Sequence, residues 1–261
     1  MYIAKIENKS GQSVTLSQNE TAYQIMSITG LNPSPAQINL SESVTMSGGR
    51  FNSAHVGSRN IVINMKLNGN AEANRIALYN MFRPGDPCKF YFQNGTRNAR
   101  ISGYVELCDV GIFEQSEEIS ASIICPFPYF EKVTANVTET TGAAVVITTT
   151  SDVSVGFDLV VTFITAATSL KITKTATGEY IAVTDTFAIG DTVTISTIPG
   201  QKALKKTSNN ITTNLFPKID INSTFFQLDP GANRLEFEIS NAANNDNARF
   251  YFTRRDNYQG V

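Results

Sequence analysis

An alternation of apolar and polar side chains with a period of two runs through most of this 261-residue chain. Successive strand residues point to opposite faces, so the pattern builds half-buried sheet rather than a helical core. In the first half it marks strands at residues 2–8, 23–31, 60–67, 89–93, 100–107 and 118–125. One helix is predicted between them over residues 71–82, with Asn70 as N-cap, Glu72 in the first turn and Pro84-Gly85 as the stop. Ala73, Ile76, Ala77, Asn80 and Met81 recur at spacings of three and four and predict its packing face. Asn94-Gly95 lies between two alternating runs and predicts a hairpin over residues 88–107 with a type I′ turn.

Pro126 and Pro128 would interrupt any sheet ladder, which places a domain boundary near residue 131 and divides the chain into 1–130 and 131–261. Beyond it the composition shifts to Thr and Val, with strands predicted at 153–164, 170–175, 179–184, 192–197, 234–239 and 248–253. Thr177-Gly178, Pro199-Gly200, Pro230-Gly231 and the Asn-rich stretch 244–247 separate them. Short strands without a helical pattern predict an antiparallel β-sandwich. The fold class is therefore mainly β in both halves.

The formal net charge is −2, without a cationic stripe, so neither nucleic-acid binding through phosphate neutralisation nor a polybasic membrane anchor is expected. The first residues lack the apolar run of a signal peptide, and no segment approaches the ~20 apolar residues that span a bilayer. Cys88, Cys108 and Cys125 have neither zinc-knuckle nor redox spacing and read as reduced core thiols. His55 is the single histidine; the stretch around it, residues 52–58, reads as a polar turn, and no Gly-x-Ser-x-Gly elbow accompanies it. No catalytic, cofactor or metal-ligand set is expected. Gly48-Gly49 reads as a loop needing positive φ rather than a phosphate loop. Glu117-Glu118, adjacent on a strand, point to opposite faces and cannot form a glycosidase acid pair. Lys205-Lys206 and Arg254-Arg255 read as solvent-facing charges.

A set of ordered motifs remains. Ile28-Thr-Gly-Leu31, Ser47-Gly-Gly-Arg50, Gly57-Ser-Arg-Asn-Ile61, then Arg75, Leu78, Tyr79 and Phe82 on the helix, resemble the N-terminal half of siphophage distal tail proteins. Pro126-Phe-Pro-Tyr-Phe130 is similar to the point where that half ends. Gly190-Asp-Thr-Val-Thr-Ile-Ser196, Pro199-Gly-Gln, the run from Phe225 through Leu228, Pro230-Gly231, Asn233 and Leu235, and Tyr258-Gln-Gly-Val261 extend the resemblance through the second half. Gly48-Gly49 departs from the Asp-Gly turn that many relatives carry.

The resemblance implies a tail-tube-like first domain, a β-sandwich with one helix and a long hairpin, and a galectin-like second domain. On the residues themselves, no enzymatic activity and no cofactor are expected. The resemblance also implies a hexameric ring at the virion tail tip, made in the host cytoplasm, that joins the tail tube to the tail-associated hub or lysin protein near the tape measure protein. Receptor-binding proteins would dock on it, and DNA would only pass through. Arg50 and Arg59 in the motifs, with Asn94 and Gly95 at the hairpin tip, are the candidate subunit-interface residues. Two alternatives stand beside this reading. One is glycan recognition by the second sandwich through Tyr180, Phe225 and Tyr251, with Phe226 and Phe252 as further aromatics, although their alternation within strands favours core positions. The other is a cell-wall hydrolase, disfavoured by the single His. A tail-like injection machine would use the same parts.

Overall fold

The computed structural model describes residues 2–19, 21–42, 44, 47–111, 118–240 and 247–261. The chain forms two compact units: residues 1–133 with 258–261, and residues 134–257. The division falls three residues beyond the expected boundary, because Val133 N–H still bonds to Asn98 C=O. The last four residues, expected in the second unit, join the first.

The first unit contains β1 (Ile3–Asn8), β2 (Ser13–Leu16), β3 (Tyr23–Thr29), β4 (Ala36–Glu42), β5 (Gly49–Val56), β6 (Arg59–Leu67), α1 (Ala71–Met81), β7 (Pro87–Gln93), β8 (Asn98–Val110), β9 (Glu118–Cys125) and β10 (Phe130–Lys132). The main sheet runs β2-β1-β7-β8-β9-β6-β3, with β10 paired to β8. An isolated bridge between Ser17 and Gln24 links the region after β2 to the start of β3. The inward residues of the main sheet alternate, as in Ile61, Ile63, Met65 and Leu67 on β6, and meet Phe90, Phe92, Ile101, Ile119 and Ile123 in a single core.

The helix starts as expected, with Asn70 accepting from Ala73 N–H at 3.3 Å. Its packing face differs. Leu78, Met81 and Phe82 are buried and Ala71 packs beside them, whereas Ala73 and Ala77 are exposed and Ile76 is 52% exposed. The larger Leu78 and Phe82, four apart, bury more surface than the small Ala73 and Ala77 and set the rotation.

The hairpin at 88–107 forms, but its turn is not type I′. Gln93 pairs with Asn98 across a four-residue connection, and neither Asn94 nor Gly95 has positive φ. Asn94 Oδ1 instead accepts from Thr96 N–H at 2.9 Å and Arg97 N–H at 2.7 Å, an Asx turn. Nor is this hairpin a free arm, since β7 and β8 lie inside the main sheet.

The second unit is a two-layer antiparallel sandwich. It comprises β11 (Asn136–Thr140), β12 (Ala144–Thr149), β13 (Phe157–Phe163), β14 (Ala167–Lys174), β15 (Tyr180–Phe187), β16 (Thr192–Ser196), β17 (Ala203–Ser208), β18 (Ile211–Asn214), β19 (Gly231–Ile239) and β20 (Ala248–Arg254). One sheet runs β11-β20-β13-β16-β17-β18, the other β12-β19-β14-β15. Stacked pairs Phe163–Phe187 and Phe237–Phe250, with centroids 4.4 and 4.0 Å apart, tie the layers together. Ser208 pairs with Ile211 around Asn209-Asn210, both at positive φ, so two-residue hairpin geometry of the primed kind occurs here, where no glycine announced it. Glu117 and residues 244–246 of the predicted connection lie outside the described residues.

Candidate assembly surfaces

Residues 52–58, expected to form a polar turn, belong mostly to β5, which pairs with β4 in a separate two-stranded sheet. Residues directly opposite on an antiparallel pair share a face. Ala36 faces Val56, Ile38 faces Ala54 and Leu40 faces Phe51, making one side apolar. The register shifts between Asn39 and Leu40, leaving Asn52 as the extra residue, and that bulge brings Phe51 onto the same side as Ala54 and Val56. The opposite side carries Gln37 against His55, Asn39 against Ser53 and Ser41 against Arg50. Asn39 Nδ2 donates to Ser53 Oγ at 2.9 Å and Asn52 Nδ2 to Ser41 Oγ. Neither side is covered: Ile38, Leu40 and Phe51 are 61%, 55% and 60% exposed. A two-stranded hairpin is marginal alone in water, so an amphipathic one with its apolar side open is an element in want of a partner.

Of the expected interface residues, Arg50 lies exposed on this arm. Asn94 and exposed Gly95 sit at the β7–β8 turn, and Arg59 is elsewhere altogether. Arg59 is 3% exposed and is an internal pin rather than a surface contact. Its guanidinium donates to Gly30 O, Asn32 O, Pro128 O and Gln259 O at 2.5–2.7 Å and lies 4.7 Å from the Phe130 ring. Burial lowers its pKa from the ordinary arginine value. Gly30 approaches at φ +84°, where a Cβ would stand 2.1 Å from Asn60 O, so only glycine fits. Four of the motifs singled out in the sequence thus meet at one side chain. The terminal residues are held further by Val261 N–H to Leu31 O at 3.1 Å, by Arg97 donating to Gly260 O, and by the Arg97 guanidinium 4.4 Å from the Tyr258 ring.

In the second unit the aromatic candidates do not gather. Tyr180 on β15 donates to Asp220 Oδ1 at 3.1 Å, Phe225 packs on the core and against Phe216, and Tyr251 is exposed on β20, in the other sheet. Phe226 and Phe252 are buried core. Two charges expected to face solvent are also drawn inward, Lys206 half-buried and Arg254 buried. Lys206 pairs with Asp191 at 3.2 Å and Asp185 at 3.7 Å, and Lys218 with Asp185 at 2.6 Å. Burial alone would raise both carboxyl pKa values, but hydrogen bonds from Ala188 N–H, Thr186 N–H and the lysines outweigh it and hold them below the ordinary value. Arg254 is buried, donates to Thr148 O at 2.7 Å and lies 3.5 Å from Asp256 Oδ1. Asn233 clamps the Pro230-Gly231 turn, accepting from Asp229 N–H and donating to Asp229 O.

All three cysteines are free, and burial pushes the Cys88 thiol up to about 12 and Cys108 and Cys125 up to about 11, so they stay protonated at neutral pH. Among the described residues no three His, Cys, Asp or Glu side chains gather as a metal site, and no helix is long and apolar enough to cross a membrane.

Ile38, Leu40 and Phe51 are the surface residues that sequence reasoning missed. Alternation in residues 36–42 was the available signal, but the bulge hid its counterpart in β5.

The sequence matches no curated protein. Residues 150–255 match the family described as siphovirus-type tail component, C-terminal domain. In structure, the chain is similar to the Dit protein of phage SPP1, described as a paradigm of the hub adsorption apparatus in phages infecting Gram-positive bacteria. The TM-score is 0.74 at 13% identity, over 97% of this chain and 98% of that one. It is also similar to a chain of the phage p2 baseplate in its activated conformation, with TM-scores of 0.54 and 0.52 in the calcium and strontium forms, at 11% identity over 100% of both chains. Residues 150–255 are therefore similar to the siphovirus-type tail component family, and the chain as a whole shares the fold of the SPP1 Dit protein.

Proposed function

We propose that this protein is a structural component of a phage tail tip. In this reading it forms a hexameric ring that joins the tail tube to the tail-associated hub protein, serves as a platform for receptor-binding proteins, and catalyses no reaction. Residues 1–133 build the ring and the galectin-like sandwich faces the docking partners. The observation that carries the reading is the β4–β5 arm, whose apolar side is left open by the described residues. Covering Ile38, Leu40 and Phe51 is worth about 1.5–3 kcal/mol each, enough to hold copies together when repeated around a closed ring. Head-to-tail contacts that close on themselves give such rings.

Light scattering and negative-stain microscopy of the full chain test it. A six-fold annulus is expected, and a Leu40→Asp, Phe51→Asp double variant should fall to monomers while keeping its circular dichroism. Wild-type rings that persist unchanged in this variant would remove the arm from assembly.

A further inference from the structure

The open side of the β4–β5 arm has a counterpart in the same unit. A groove of about 470 Å³ runs between β1 and the second part of β3, lined by Tyr2, Ile25, Met26, Ile28, Leu31 and Phe92 among others. None of the lining side chains is charged, whereas a second groove of about 480 Å³ on this unit is lined by Glu7, Lys9 and Lys89. Its backbone is also open. β3 ends the main sheet, and on its other side the described residues offer only the Ser17–Gln24 bridge. From Met26 onward β3 presents a strand edge beside an apolar floor, the combination that accepts a strand or hairpin from another chain.

The arm and the groove adjoin without meeting. Gly30, Leu31 and Asn32 close one end of the groove, and β4 begins at Ala36, yet no residue of β4 or β5 lines it. A seven-residue strand reaches roughly 23 Å from that root, so the arm of one copy can extend across to the groove of another. We propose that the uncharged face formed by Ile38, Leu40 and Phe51 of one copy seats in the β1–β3 groove of the next, giving the ring its head-to-tail direction. This rests on the self-assembly reading above and adds the seat.

The test mixes two full-length variants. Leu40→Asp with Phe51→Asp disables the arm, and Met26→Asp disables the groove; all three positions are exposed, and circular dichroism checks that both variants are folded. Each variant alone should associate at least roughly a hundredfold more weakly than wild type, because an unpaired carboxylate enters an apolar contact. Mixed together, they should form a 1:1 dimer by native mass spectrometry, since the intact groove of the arm variant receives the intact arm of the groove variant and the remaining surfaces are dead. If the arm variant is monomeric but the mixture stays monomeric too, the groove is not the seat and only this inference falls. The same holds if Met26→Asp assembles as wild type. A wild-type chain that remains monomeric at millimolar concentration would overturn the self-assembly reading as well.

Discussion

A guanidinium is rarely fully buried, and when it is, every N–H must find an acceptor. Arg59 finds four, all backbone carbonyls, drawn from stretches near residues 30, 128 and 259. Replacing it by Met would leave those carbonyls without a donor, and Arg59→Met is expected to destabilise the first unit by about 3–5 kcal/mol, read from the urea midpoint. Arg59→Lys should recover part of this, since an ammonium keeps the charge but cannot reach four oxygens in a plane. The sequence placed Arg59 in a motif but on the wrong side of the surface. Arginine is usually solvated, and its acceptors carry no side-chain signature, so nothing local distinguishes a pin from an exposed contact. Arg254, which donates to Thr148 O, was misread for the same reason, and Lys206 because its partners Asp185 and Asp191 come from other stretches of the chain.

At the level of elements, turn chemistry separates what was legible from what was not. Asn94-Gly95 marked a hairpin correctly because two alternating runs flank it, yet the side chain of Asn94, not its φ, makes the turn. Asn94→Gly, harmless in a type I′ turn, should therefore cost about 1 kcal/mol here. Asn210→Gly should be tolerated or slightly stabilising, because Asn210 already sits at φ 63°. Thermal melts of the two variants would distinguish the turns, and equal losses would refute the assignment. The helix existed where expected because its cap and stop are local signals. Its buried face was legible only at Met81, because residues 73, 76, 77 and 80 keep helical spacing yet lie exposed while Leu78 and Phe82 make the deeper contact. The arm escaped notice because one extra residue, Asn52, breaks the alternation of β5, and only pairing with β4 restores it.

At the scale of the molecule, alternation was enough to give a mainly β chain, and each of its two units has its own core. The two units should respond differently to acid. Asp185 and Asp191 of the second unit have pKa values depressed below 3.8, so they add stability above that value and lose it as pH falls through their folded values. Lys174 depresses Asp229 in the same direction, though that carboxylate is half exposed and contributes less. Calorimetry from pH 6 to pH 3 should show the transition of the second unit falling further than that of the first, where among the described residues Glu7 is the depressed carboxylate. An equal fall in both would contradict it. The return of residues 258–261 to the first unit also orders events during synthesis. The carbonyl of Gln259 that Arg59 requires is made only after the entire second sandwich, a lag of roughly 6–25 s at ~5–20 residues per second. Until then the set of carbonyls around Arg59 stays one short, so the first unit reaches its final packing only after the second has been made.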